Sequence, residues 1–144
     1  SSRSNLFGLC WADGEGFGSD LRAVRQNGTT QAAISFNSSS ALTDLTADAP
    51  EYAAMGYDPD GDRFMFYEGY STRAGRVYVI TPNGTTTWDV SVLSTTGTPP
   101  ATFGTKGSNH TGVQNRFSFV RFGDIAGFVM LPQSSANLWF LRTA

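Results

Sequence analysis

The chain has 144 residues, only 15% of them charged, and a formal net charge of −2. Its ten Lys and Arg residues are scattered singly, and a nucleic-acid partner needs a basic stripe to neutralise phosphates, so that class is excluded. The lone Cys10 excludes an internal disulfide and a cysteine zinc cage, and no run reaches the ~20 apolar residues of a membrane span.

Apolar runs of four to six residues bounded by Gly, Pro, Asn and Asp recur along the chain, and these are strand signatures. The abrupt start "SSRSNLFG" fits a processed end, a domain cut from a longer chain, or the first ordered residues. If the protein is exported, its leader has been removed, and an extracellular or periplasmic location is the expectation. The first stretch, "NLFGLCWADGEGFGSDLRAVRQNGTTQAAISF", reads as strands separated by "WADGEG" and by "QNGTT", with Cys10 a small buried hydrophobe. In "SSALTDLTADAPEYAAM" a Ser cap precedes Leu42, Leu45 and Ala49 at rough helical spacing, and Pro50 interrupts them. This stretch is expected to be a loop, with a short helix as the alternative. Next comes "YAAMGYDPDGDRFMFYEGYSTRAGRVYVITPNGTTTWDVSVL": strand, acidic turn, strand, polar loop, strand, "PNGTT" turn, strand. The tail "RFSFVRFGDIAGFVMLPQSSANLWFLRTA" adds three strands around "FGDIAG" and "PQSSA". Several strands are apolar on both faces, which predicts cover on both sides of their sheet.

These stretches read as three copies of one unit within a single β domain, residues 1–144, at approximately 5–36, 52–93 and 115–144. Three units in 144 residues means about 48 residues each, the period of β-propeller blades, which bury their faces by stacking on neighbours. The unit "YDPDGDRFMFYEGY…GRVYVITPNGTTTWDV" resembles a blade of the kelch-like, galactose-oxidase-like propellers. In those a Tyr-Asp-Pro turn leads into an apolar strand, and a later strand ends in a Pro/Asn/Gly turn before a Trp. The tail "NRFSFVRFGDIAGFVMLPQSSANLWFLR" is similar to the closing blade of bacterial members. The resemblance runs from Ala53 to Arg142. Glu68-Gly69-Tyr70 replaces the paired glycines of kelch strands, so only the broader propeller class is implied.

Closed propellers use four to eight blades, and three cannot close a ring. The chain is therefore expected to be the end of a longer propeller, or half of a ring completed by a second copy. The alternative is a β-sandwich or jelly roll, or an open stack whose unpaired edges associate into a fibre.

Asp58, Asp60 and Asp62 alternate as the first ligands of a calcium loop do, but position twelve of that pattern falls on Gly69 and the flanks read as strands. "DPDGD" is also a tight turn, with Pro59 presetting φ, Gly61 supplying a positive φ, Asp capping amides and Arg63 neutralising charge. The turn is the preferred reading, and calcium the only cofactor considered. His110, the single histidine, lies in the loop "KGSNHTG" with no nucleophile elbow nearby. The copper site of galactose oxidase uses two histidines, so that chemistry does not carry over. No pair of carboxylates is placed across a cleft by sequence, as a glycosidase requires.

Trp139 and Tyr78 sit inside apolar strands and read as core. Tyr70 and Trp88 lie at strand-to-loop boundaries, where binding residues gather, and with Arg116 they are the candidate ligand contacts. Asn27, Asn37, Asn83 and Asn109 head Asn-x-Ser/Thr sequons. The resulting expectation is a non-enzymatic module binding carbohydrate or another extended polymer. Its rivals are a structural subunit that self-assembles through sheet edges, and a part of a polysaccharide-acting enzyme using His110.

Overall fold

The structure, a computed structural model, describes residues 6–11, 21–27, 30–47, 54–68, 73, 75–83, 87–97, 117–131 and 137–143, with side chains from residue 34 onward. Within them lie the strands β1 (Leu6–Trp11), β2 (Leu21–Asn27) and β3 (Thr30–Phe36), then a helix α1 (Ser40–Ala47). They are followed by β4 (Ala54–Asp58), β5 (Arg63–Tyr67), β6 (Val77–Asn83), β7 (Thr87–Val92), β8 (Phe117–Phe122), β9 (Ile125–Met130) and β10 (Trp139–Arg142). The described residues are thus mostly β, with one short helix among them. Two sheets result, one of seven strands ordered β1-β2-β3-β7-β6-β5-β4 and one of three ordered β10-β9-β8. Neighbours pair antiparallel except β3 and β7, which run parallel over Ser35↔Thr87 and Phe36↔Trp88.

The doubly apolar strands β5 and β6 are explained by cover on both faces. Side chains alternate along a strand, so Phe66, Tyr78, Ile80, Trp88 and Val90 face one way and meet Ala41 and Leu45 of α1. Met65, Tyr67, Val77 and Val79 face the other way and meet Phe117, Phe128 and Met130 of the small sheet. Helix, large sheet and small sheet form three layers. Phe117 and Phe128 stack at 4.4 Å between centroids, with Phe119 edge-on to Phe128. The layers approach closely where Gly56 on β4 passes Phe128: a Cβ there would come within 2.5 Å of the ring.

The stretch expected to be a loop opens with a helix instead. Eight residues are too few to hold a helix by propensity, and here packing decides. Ser39 Oγ accepts the Leu42 N–H at 3.0 Å as an N-cap and donates to Val90 O at 3.0 Å, tying the cap to β7. Leu45 is fully buried. Asp44 on the outer side pairs with Arg73 at 3.1 Å and Arg76 at 2.7 Å, fastening α1 to the connection between β5 and β6.

The short β3–β7 seam is extended past its two register pairs. Asn37 N–H donates to Trp88 O at 2.9 Å, and the Asn37 side chain donates to Asp89 at 2.6 Å. The β8–β9 hairpin turns on Gly123 and Asp124 between the paired Phe122 and Ile125. Gly123 has φ 58°, as the first position of a two-residue II′ turn requires.

Candidate functional site

The acidic turn is built by its own side chains. Asp58 and Arg63 are opposite each other across the β4–β5 hairpin, so both project to the face shared with the small sheet. Asp58 is 1% exposed. Its Oδ1 accepts the N–H groups of Asp60 (3.1 Å) and Gly61 (3.2 Å), and its Oδ2 accepts Arg63 Nε at 2.9 Å. Asp62 instead accepts the Tyr57 hydroxyl at 2.6 Å, and Asp60 pairs with Arg121 on β8. The three carboxylates therefore diverge to separate partners. Among the described residues no group of three or more His, Cys, Asp or Glu could hold a metal ion.

One detail departs from the expected turn. The positive φ, 48°, belongs to Asp62 and not to Gly61. Gly61 is needed for space, because a Cβ there would lie 2.5 Å from Arg63 Nε and 2.9 Å from Asp58 Oδ2. A side chain at that position would have to displace the Asp58–Arg63 pair.

Of the expected ligand contacts, Trp88 is corrected. It is fully buried, stacked on Phe64 at 5.5 Å and edge-on to Phe36 at 6.4 Å, so it presents no face to a ligand. The Thr and Asp around it suggested a boundary, but the β3 seam and α1 cover it. Tyr70, Arg116, His110 and Asn109 lie outside the described residues, as do the side chains of Cys10 and Asn27. Asn37 and Asn83 are exposed and both donate their Nδ2 to Asp89, at 2.6 and 2.9 Å. The amide nitrogen a glycan would use is thus the atom that clamps Asp89 at the β3–β7 seam.

A cleft of about 610 Å³ opens between β5–β6, β10 and the segment 93–97, within the usual size range of a small-molecule site. Trp139 lines it and is 42% exposed. Trp139 was expected in the core because "NLWFL" is apolar. Yet β10 is the edge strand of its sheet, and the ring stands at the rim of the small core. Ser94, Thr95 and Thr96 also line the cleft, as does Arg63. No Asp, Glu or His lines the cleft among the described residues.

Tyr67, on the cleft floor, has a hydroxyl whose pKa is pushed well above its ordinary value, first by burial and then by the neighbouring Glu68 charge. It stays a neutral phenol. Among the described residues the site therefore offers an aromatic face, hydroxyls and the Arg63 guanidinium. In comparisons with known proteins, no family model, no curated protein and no solved structure matches the chain.

Proposed function

We propose that the protein is a non-enzymatic β-module that binds carbohydrate in the cleft beside β10. The observation that carries this reading is the half-exposed Trp139 in an open cleft that Ser94, Thr95 and Thr96 also line. A flat apolar face with polar groups around it suits a sugar ring, which has an apolar face and a hydroxyl edge. That no carboxylate or histidine lines the cleft among the described residues is in keeping with binding rather than hydrolysis. We also infer a propeller-type architecture in an extracytoplasmic setting. Support for the architecture comes from the four-stranded meander β4–β7 stacking its face on the meander β8–β10. Sharing of one sheet by β1–β3 and β4–β7 is the feature a ring of separate blades does not need.

The test is affinity electrophoresis through gels containing a panel of polysaccharides, with two tryptophan variants. Trp139→Ala is expected to lose retardation while its melting temperature changes little, because an exposed side chain costs less than about 1 kcal/mol to remove. Trp88→Ala is expected to lose roughly 3–5 kcal/mol of stability, with any loss of binding following unfolding. Unchanged retardation of a folded Trp139→Ala would sink the cleft as the binding site.

A second reading is favoured by a separate surface. Phe122, Ile125 and Phe140 lie on the outer face of the small sheet and are 65%, 43% and 42% exposed. Self-association through this face is the structural-subunit alternative.

A further inference from the structure

Resting on the carbohydrate reading, we propose that the sugar recognised is acidic, and that Arg63 reads its carboxylate. The argument starts from how Arg63 is held. A guanidinium carries five N–H donors in a planar fork. Only the Nε is used by a described partner, Asp58 at 2.9 Å. Asp58 is itself immobilised, buried and bonded to two backbone amides of the turn, and Gly61 leaves no slack around the pair. The side chain of Arg63 nevertheless remains 25% exposed and lines the cleft. A buried carboxylate needs only to be satisfied, and an arginine closed off from solvent would do that. This one is fixed by its inner edge and left at the wall of a cavity.

The chemistry that fits such a group is planar and anionic. With Nε occupied, the two terminal nitrogens form an edge that offers parallel N–H donors to both oxygens of a carboxylate. Holding the fork in place before binding removes the ordering cost that a free surface arginine would carry. The cleft residues add no opposing charge, since none is Asp or Glu among those described. A uronic acid unit combines the required parts: a ring face for Trp139, hydroxyls for Ser94 to Thr96, and a carboxylate for Arg63. The acidic turn thus has a role in specificity without binding anything: it positions the arginine.

The experiment uses the full chain and isothermal calorimetry with three probes: oligogalacturonate, the same oligomer methyl-esterified, and dextran sulfate. Oligogalacturonate is expected to bind roughly tenfold to a hundredfold more tightly than its ester, the worth of one charge-assisted pair. Arg63→Lys keeps a cation for Asp58 but loses the planar fork, and is expected to weaken acid binding more than ester binding, so that the preference is lost. Asp58→Asn keeps an oxygen acceptor for the turn amides but frees the arginine, and is expected to weaken acid binding more than ester binding. Melting curves confirm that each variant is folded. Equal binding of acid and ester, with Trp139→Ala still losing both, overturns the role of Arg63 and leaves the carbohydrate reading standing. Binding of dextran sulfate as tight as that of the uronate, and insensitive to Arg63→Lys, overturns carboxylate recognition in favour of charge alone. Failure of all three probes, with no response to Trp139→Ala on any polysaccharide, overturns both readings.

Discussion

Single residues in this protein owe their roles to what lies one layer above or below them. Asp58 and Glu68 are the two buried acidic side chains among those described, each 1% exposed, and both flank the ends of β5. Glu68 anchors its connection by main-chain bonds, its N–H donating to Arg76 O at 2.9 Å and its carbonyl accepting Gly75 N–H at 2.7 Å. Its charge and the burial of Tyr67 leave the phenol reluctant to ionise. A hydroxyl whose pKa is raised in the folded state gives stability that is fully present below the unfolded value. That stability is lost as pH rises above it, because the unfolded chain then releases a proton that the folded chain retains. The protein is therefore expected to lose stability from about pH 10 upward, the ordinary tyrosine pKa, and Tyr67→Phe is expected to flatten that decline. Urea titrations at pH 8 and pH 11 check this; an equal decline in the variant assigns the loss to other groups.

At the scale of elements, α1 shows how a weak helix is held by its surroundings. Ser39 is both cap and tether, so Ser39→Ala is expected to cost about 1 kcal/mol for the cap and about another 1 kcal/mol for the lost bond to Val90. Circular dichroism and chemical unfolding of the variant measure this, and a change below about 0.5 kcal/mol would mean that Leu45 alone holds the helix. The strands were legible in sequence because their apolar runs are unbroken and their turns carry Gly, Asn and Asp. The doubly covered sheet was legible for the same reason, since "RFMFY" and "VYVI" leave no polar face. The helix was not, because its stability comes from a residue on β7 and from Asp44 reaching Arg73 and Arg76. Trp139 was misread because an apolar run has the same appearance at an edge as in the middle of a sheet. Arg63 appeared only as a neutraliser of the acidic turn; its place beside the cleft depends on the small sheet, which begins more than fifty residues later. A signal was nonetheless present, a lone arginine directly after three aspartates and before an apolar run.

For the whole molecule, the open question is how its exposed apolar surface behaves. The outer face of the small sheet and Leu138, 65% exposed, are what association would cover, and Arg142 interrupts that face opposite Gly127. Multi-angle light scattering across a hundredfold range of concentration is expected to show mass rising above the 15.5 kDa of one chain. The double variant Phe122→Ser, Ile125→Ser is expected to stay at that mass. A wild-type chain that remains single throughout the range removes the self-assembly reading and leaves the cleft as the proposed site.

The seam between β3 and β7 sets an order of events in time. Every other pairing joins strands that follow one another along the chain, whereas this seam and its extension bring together residues 51 and 52 positions apart. Closing a longer loop costs more entropy, and non-local pairing is the slow step in forming sheets. The meanders on either side therefore assemble first, and the seam zips last. With two register pairs, it is also the first line to part. Over the times at which native proteins breathe, the broad sheet behaves as two leaves, of three and four strands, held shut by a latch of Asn37, Ser39 and Asp89.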